Sequence, residues 1–128
     1  TIKVSGKRTG PSEIETLLTG TGKVSEAAVI GVPDEIKGSA IVCVCVPMPG
    51  VAADAALKAE LSQAVVHGMG ASYRPRQVLL VSDLPKTRNM KIMRRVVRAL
   101  YKGDSPGDLS SLVNPETVAE LQGKLAKA

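Results

Sequence analysis

Basic side chains are concentrated in residues 74–102, and they indicate what chemistry this chain can do. That stretch holds nine basic residues and one acid, Asp83, whereas the whole chain of 128 residues carries 17 basic and 12 acidic residues. Clustered positive charge attracts phosphate-bearing molecules such as nucleotides and nucleic acids, and charge alone does not choose among them. Residues 85–95, with the sequence PKTRNMKIMRR, lie within this cluster and contain Lys86 and Lys91.

Two predicted elements determine where Lys91 lies. Residues 78–81 form a short apolar run that is typical of a buried strand, and residues 92–101 predict a helix with basic and apolar residues on opposite faces. Lys91 therefore lies on a loop between a strand and a helix, and such loops often carry catalytic side chains because rigid elements hold them. Lys86 lies on the same loop, and we interpret it as a structural or docking residue.

The composition predicts one domain with an aliphatic core. The chain has no Phe, no Trp and only two Tyr, so aliphatic side chains must fill the core. Cys43 and Cys45 are two positions apart in an apolar run, which places them on one face of a strand, about 7 Å apart. That separation is too long for an unstrained disulfide, and two Cys without nearby His form a poor metal site. We expect core packing, no metal site and a reducing compartment such as the cytoplasm.

The apolar runs and the turns between them predict a small α+β domain with an antiparallel three-stranded sheet. Residues 24–32 and 39–47 are typical of two strands joined as an antiparallel pair, and residues 78–81 provide the third strand. Residues 39–47 are apolar on both faces, so this strand should be central and covered on both sides. Residues 2–9 predict a short N-terminal hairpin at one edge of the sheet.

Helices are expected to pack on this sheet, and their first residues can be recognised. Pro11 suits the first position of a helix because its missing N–H costs nothing there. Asp54 is expected to cap the next helix, and Asn114 to cap the last one, with Pro115 at its first position. No run approaches the roughly 18 apolar residues that a membrane span needs, so no membrane partner is expected.

Four segments resemble the C-terminal domain of AMP-forming acyl-CoA synthetases, within the larger adenylate-forming superfamily. The segments are residues 2–15 (IKVSGKRTGPSEIE), 29–38 (VIGVPDEIKG), 85–95 and 107–115 (GDLSSLVNP). Their order and spacing agree over essentially the whole chain, and the last segment is similar to the tail of acetyl-CoA-type members. A match in four segments in register is far more specific than any one of them alone.

The resemblance implies that residues 1–128 are a C-terminal lid domain whose large N-terminal domain is absent from this sequence. A start at Thr1, in a strand-like run without a Met, fits a piece of a longer protein. The full enzyme would use ATP, CoA and Mg²⁺ to convert acetate or another short-chain carboxylate into acyl-CoA, AMP and pyrophosphate. The isolated domain is expected to hold none of these cofactors and to be inactive. Its partner would be its own N-terminal domain, with no nucleic acid involved.

The resemblance also implies roles for individual residues. Lys91 matches the lysine that drives acyl-adenylate formation in the family. Ser5, Gly6 and Arg8 match hairpin positions that line the channel for the pantetheine arm of CoA, and no metal ligand is implied in this domain. The family's lysine is sometimes acetylated, which would remove the charge that Lys91 contributes.

The sequence departs from the family pattern next to this lysine. The family usually has Ser-Gly there, whereas this chain has Asn89 and Met90. Because glycine permits sharp backbone turns, Met90 implies a less extreme conformation or some strain. Asn89 tolerates left-handed geometry and is expected to take over part of the role of glycine. Val66 stands where some acetyl-CoA-type members carry an arginine for the CoA nucleotide.

Because Val66 cannot bind the CoA nucleotide as arginine does, contacts to that nucleotide must come from elsewhere, and the basic helix is the candidate. Arg94, Arg95 and Arg98 could bind phosphates, dock the absent domain, or form a solvated basic face. His67, the only histidine in the chain, is expected to be an ordinary surface residue.

Two other classes of protein remain open. A lid from a carrier-protein-loading adenylation domain typically has Asn-Gly-Lys followed by Asp-Arg, so Asn89 is a partial match, whereas the segments KIMRR and VSGKR favour a CoA ligase. The second alternative is a small nucleic-acid-binding module that uses the basic helix. Modules for single strands usually add aromatic stacking platforms, and two Tyr are few. A steep salt dependence of oligonucleotide binding would be its signature.

Overall fold

A computed structural model describes residues 2–4, 7–35 and 38–127, without the side chains of residues 2–4, 7, 8, 34 and 125–127. The elements are β1 (Ile2–Val4), β2 (Lys7–Thr9), α1 (Pro11–Thr19), β3 (Val24–Asp34), β4 (Gly38–Pro47), α2 (Ala55–Met69), a 3₁₀ turn (Ala71–Tyr73), β5 (Gln77–Leu80), α3 (Arg94–Tyr101) and α4 (Glu116–Lys127). The predicted α+β class is confirmed. Within the described part of the chain, no helix is both long enough and apolar enough to cross a membrane.

Strand β4 is the centre of the sheet. It pairs antiparallel with β3 along its length, from Gly38 opposite Asp34 to Pro47 opposite Val24. On its other edge, β1 meets β4 at Gly38, and β1 also pairs with β2 as the predicted hairpin. The prediction of a central strand with a hairpin at one edge is confirmed.

The prediction of an antiparallel sheet is wrong for β5, which lies parallel to β4 with Cys45 opposite Leu80. The chain between these strands includes α2, a helix of 15 residues. A helical crossover returns the chain to the same end of the sheet, so the next strand runs parallel to the first. Sequence patterns of strands β4 and β5 alone did not reveal this direction.

Helices cover both faces of β4, as its apolar pattern predicted. Cys43 and Cys45 are fully buried on the face that packs against α1 and α2. Val42 and Val44 are fully buried on the other face, against α3 and α4. Burial raises the pKa of the Cys45 thiol to about 12 and raises that of Cys43 as well. Both cysteines are free, and their expected role in core packing is confirmed.

The helix starts are partly as expected. Pro11 opens α1, and the Asp54 carboxylate accepts a hydrogen bond of 2.9 Å from the Leu57 N–H at the start of α2. The expected start of α3 at residue 92 is wrong, because the helix begins at Arg94. The expected capping role of Asn114 is also wrong, since its side-chain amide binds the loop that carries Lys91, not the first turn of α4.

Candidate functional site

Residues 86–92 form a tight hairpin, called here the lysine hairpin. A β-bridge pairs Lys86 with Ile92 at its open end. At the closed end, the Thr87 N–H donates to the Lys91 carbonyl at 3.0 Å, and the Met90 N–H donates to the Thr87 carbonyl at 2.8 Å. The hairpin follows β5 and precedes α3, which confirms the prediction that Lys91 lies on a loop between a strand and a helix.

The last residue of the turn, Met90, has a left-handed backbone conformation. Its φ angle is 62°, and it is the one non-glycine residue with positive φ among the described residues. Three-residue hairpin loops often end in a left-handed residue, usually glycine, and an L side chain there costs roughly 1–2 kcal/mol. The expected strain at Met90 is therefore present, whereas the expectation that Asn89 takes the left-handed role is wrong.

Lys91 follows Met90 directly and extends from the tip of the hairpin. Its side chain is exposed, and no residue in the described ranges forms an ion pair with its ammonium. Its backbone N–H donates a long hydrogen bond of 3.3 Å to the Thr87 hydroxyl oxygen. The hairpin therefore presents a positive charge whose interactions are available to an anion from outside this domain.

Lys86, at the base of the same hairpin, is in the opposite situation. Its side chain is buried, and its Nζ lies 2.6 Å from Glu26 Oε1 and 3.1 Å from Asp83 Oδ1. Burial alone would lower the pKa of Lys86, but hydrogen bonds and charge interactions with the two carboxylates outweigh it and raise the pKa. Lys86 is a structural residue, as the sequence suggested, and these partners were not foreseen.

The chain segment of residues 112–114, called here the clamp segment, holds the first strand of the lysine hairpin. Thr87 forms a β-bridge with Leu112, and the Val113 N–H donates to the Lys86 carbonyl at 3.0 Å. Asn114 is 8% exposed, and its Oδ1 accepts a hydrogen bond of 2.9 Å from the Lys86 N–H. Nothing in the sequence pointed to this role, because an Asn-Pro pair before an apolar helix is typical of a cap.

One arginine of the basic helix is engaged inside the domain. Arg94 Nε donates to Glu15 Oε2 at 2.7 Å, and Arg94 Nη2 also contacts the Glu15 carboxylate. The same Oε2 accepts a hydrogen bond of 2.8 Å from the Val29 N–H. The hydrogen bond to Glu15 raises the pKa of Arg94. Arg94 therefore ties α3 to α1 and β3.

A cleft of about 480 Å³ lies between α3 and residues 29–31 of β3, and basic residues in and just after α3 border it. Arg95, Arg98 and Lys102 line it, with Asp104 as the acid among its lining residues. The Arg95 guanidinium donates to the Pro106 carbonyl at 2.9 Å, whereas Arg98 is exposed. The expected phosphate or docking role of this helix stays a prediction, and the cleft does not include Lys91.

The predicted CoA-channel residues are only partly described. Ser5 and Gly6 lie outside the described residues, and for Arg8 the structure describes the backbone alone, which pairs with Lys3 in the β1–β2 hairpin. This hairpin joins β4 at Gly38, whereas β5 leads into the lysine hairpin beside Cys45. Seven residues of extended strand separate these points by about 23 Å. The two candidate functional segments therefore lie at opposite ends of the sheet.

Comparison with known proteins identifies the family to which this chain belongs. A family model for the C-terminal domain of AMP-binding enzymes matches residues 13–91, which include the β3–β4 pair and extend to the candidate lysine. The chain belongs to this family of AMP-binding enzyme C-terminal domains. The resemblance that the four sequence segments carry is confirmed.

Relatives of known activity match the chain over nearly its whole length. It is 42% identical over 120 residues to an acetyl-coenzyme A synthetase of Methanothrix thermoacetophila, covering 94% of this chain and 18% of that protein. It is 39% identical over 122 residues to a 3-hydroxypropionyl-coenzyme A synthetase of Sulfurisphaera tokodaii, covering 95% of this chain and 18% of that protein. The crystal structure of a Brucella canis acyl-CoA synthetase superposes with a TM-score of 0.67 at 38% identity, covering 73% of this chain and 17% of that one. This chain thus spans less than a fifth of each relative.

Proposed function

We propose that this chain is the lid domain of an AMP-forming acyl-CoA ligase that acts on acetate or another short-chain carboxylate. The observation that carries the proposal is the exposed Lys91 ammonium at the tip of a hairpin whose base is fixed by buried contacts. Relatives named acetyl-coenzyme A synthetase, about 40% identical over most of this chain, support the reaction and favour it over carrier-protein loading and nucleic-acid binding.

In the first half-reaction, a carboxylate oxygen attacks the α-phosphorus of ATP, the bond to the β-phosphate oxygen breaks, and pyrophosphate leaves. This step brings two anions together and builds negative charge in the transition state. The Lys91 ammonium, placed between them when the lid closes over the N-terminal domain, offsets the repulsion and stabilises that charge in a site from which water is excluded. The loss of one such electrostatic donor costs about 3–4 kcal/mol, or roughly 10²–10³ in rate.

In the second half-reaction, the thiol sulfur of CoA attacks the acyl carbon of the adenylate and AMP leaves. We propose that the lid rotates after pyrophosphate is released and presents the β1–β2 hairpin in place of the lysine hairpin. Ser5, Gly6 and Arg8 would then line the pantetheine channel, where glycine lets the arm pass close to the backbone and arginine faces phosphate. The location of the two segments at opposite ends of the sheet supports such an exchange.

ATP, Mg²⁺ and the carboxylate would be held mainly by the N-terminal domain. Among the described residues, no three His, Cys, Asp or Glu side chains gather into a group that could hold a metal ion, so no metal-dependent step is assigned to this domain. Two buried free cysteines support a reducing, cytoplasmic location. Acetylation of the exposed Lys91 would neutralise its charge and stop adenylation.

The test uses the full-length parent enzyme with Lys91→Ala and separates the two half-reactions. Acyl-adenylate formation is followed by pyrophosphate exchange, and thioester formation is followed from supplied acyl-adenylate and CoA. We expect pyrophosphate exchange to fall by roughly 10²–10³, with thioester formation largely kept. Arg88→Ala, which removes another exposed cation of the same tip, is the matched control and should change both rates little. An undiminished exchange rate in Lys91→Ala would contradict the proposal.

A further inference from the structure

We propose that Asn114 is a positioning residue for acyl-adenylate formation, because its side-chain amide fixes the base of the lysine hairpin and so determines where the Lys91 ammonium lies. The inference rests on the proposed function of Lys91. Asn114 lies 23 positions after Lys91, in the clamp segment, and touches neither substrate nor Lys91. Its role would be kinetic and would act through the hairpin.

The amide of Asn114 is fully used by the hairpin base. Its Oδ1 accepts the Lys86 N–H at 2.9 Å, and its Nδ2 donates to the Leu84 carbonyl at 2.7 Å and to Asp83 Oδ2 at 3.0 Å. One side chain thus binds three successive points of the chain that enters the hairpin. Because Asn114 is 8% exposed, these hydrogen bonds compete little with water.

The carboxylates of Asp83 and Glu26 connect the hairpin base to the rest of the domain. Asp83 accepts hydrogen bonds from both Asn114 Nδ2 and Lys86 Nζ, and Lys86 also pairs with Glu26 at the start of β3. Burial alone would raise the pKa of Asp83, but hydrogen bonds from the Leu84 N–H, Asn114 and Lys86, together with the charge of Lys86, outweigh it and lower the pKa. The carboxylate is therefore held in the charged form that these contacts require.

The tip of the hairpin has few restraints of its own. Residues 88–91 are exposed, and the hydrogen bonds that the structure describes at the tip run within the hairpin, between Thr87 and residues 90 and 91. We therefore expect the tip to follow any displacement of the first strand of the hairpin. That strand is paired with Ile92 on one side and with the clamp segment on the other. A change in the clamp is therefore passed to Lys91.

Catalysis by a positioned charge is sensitive to small displacements, since misplacement by about 1 Å can cost roughly 10² in rate. Loss of the Asn114 amide frees one side of the hairpin base and leaves the other pairings in place. We therefore expect a partial effect, a decrease of about tenfold in acyl-adenylate formation. Thioester formation, which uses the opposite end of the sheet, should stay within about twofold of the wild type.

The experiment compares Asn114→Ala with Leu61→Ala in the full-length parent enzyme. Leu61 is fully buried in α2 on the other face of the sheet, so its variant lowers stability without touching the hairpin. The readouts are pyrophosphate exchange and thioester formation, both measured well below each melting temperature. Asn114→Gln, which keeps the amide but displaces it by one methylene group, is the milder variant if Asn114→Ala does not fold, and the same selective loss is expected for it.

A second readout does not depend on activity. In the 128-residue chain, amide hydrogen exchange at Thr87 and Met90, whose N–H groups are bonded within the hairpin, should accelerate by about tenfold or more over the wild type in Asn114→Ala and not in Leu61→Ala. The amides of β3 and β4 should be unchanged in Asn114→Ala. If Asn114→Ala lowers both half-reactions equally, or leaves amide hydrogen exchange in the hairpin unchanged, the positioning role is wrong and Asn114 is a merely structural residue.

The two proposals fail in different ways. If Lys91→Ala loses acyl-adenylate formation and Asn114→Ala keeps it, the positioning role is wrong and the proposed function stands. If Lys91→Ala keeps acyl-adenylate formation, the proposed function is wrong, and so is a kinetic role for Asn114, whatever the amide exchange shows about the hairpin.

Discussion

The two ends of the lysine hairpin differ in almost every physical property, although each end carries a lysine. At the base, Lys86 is buried and paired with Glu26 and Asp83. At the tip, Lys91 is exposed, without an ion pair among the described residues, and follows a strained Met90. The same side-chain chemistry is therefore used once to hold a loop in place and once to present a charge.

The difference matters for the catalytic role that we propose for Lys91. A flexible loop would lose the geometric advantage that catalysis requires, and a lysine paired within its own domain would have no charge to offer. The domain meets both requirements by placing its buried polar contacts below the tip, among Lys86, Asp83 and Asn114. If the base of the lysine hairpin provides the support and the tip presents the charge, substitutions at the base should have the largest effect on stability.

Lys86→Met should destabilise the 128-residue chain by about 2–3 kcal/mol. Breaking a buried ion pair costs roughly 3–5 kcal/mol, and we reduce that figure because the side chains of Glu26 and Asp83 are 33% and 42% exposed. The free energy of unfolding is measured by urea denaturation.

The matched control for that variant is Lys23→Met. Lys23 pairs with Glu60 at 4.0 Å, and both side chains are about half exposed, so its removal should change the unfolding free energy by less than about 0.5 kcal/mol. Similar effects of the two substitutions would show that the hairpin base is not held by Lys86.

The stability that Lys86 contributes should also depend on pH in a defined direction. Its pKa in the folded state is raised above the ordinary value of 10.5, so its contribution is fully present below about pH 10.5 and is lost as the pH rises through the folded-state pKa. The difference in urea midpoint between the wild type and Lys86→Met should therefore shrink as the pH rises from about 10.5 to about 12. A difference that stays constant over this range would contradict the assigned pairing.

Met90→Gly should have the smallest effect, and its sign is informative. Glycine removes roughly 1–2 kcal/mol of left-handed strain but adds about 0.4–1 kcal/mol of conformational entropy to the unfolded chain, so we expect a net stabilisation of about 0.5 kcal/mol. Asn89 has no left-handed strain that glycine could remove, so Asn89→Gly has only the entropic cost and should lower the free energy of unfolding by about 0.5 kcal/mol. Equal destabilisation by both glycines in urea denaturation would show that Met90 is not strained.

Much of this arrangement could be predicted from local sequence. Lys91 lies where it was expected because β5 is a short apolar run and the polar segment after it leads into an amphipathic helix. The burial of Cys43 and Cys45 was also predictable, since every neighbour in that strand is apolar. These features depend on residues close together in the chain, where periodicity is informative.

The features that were missed depend on distant residues. Glu26 binds Lys86 across 60 positions, and Asn114 binds it across 28, and no local pattern encodes either contact. The direction of β5 was missed for a different reason: the helix after Asp54 was expected, but the parallel pairing that a helical crossover produces was not inferred from it. The roles of Ser5, Gly6 and Arg8 stay predictions.

The most direct test of the division within the lysine hairpin is the rate of pyrophosphate exchange in the full-length parent enzyme for Lys91→Ala and Lys86→Met, at a temperature where both are folded. We predict a loss of roughly 10²–10³ for Lys91→Ala and a loss of no more than about tenfold for Lys86→Met. Equal losses, or a larger loss for Lys86→Met, would contradict the assignment of the chemistry to the tip and of the support to the base.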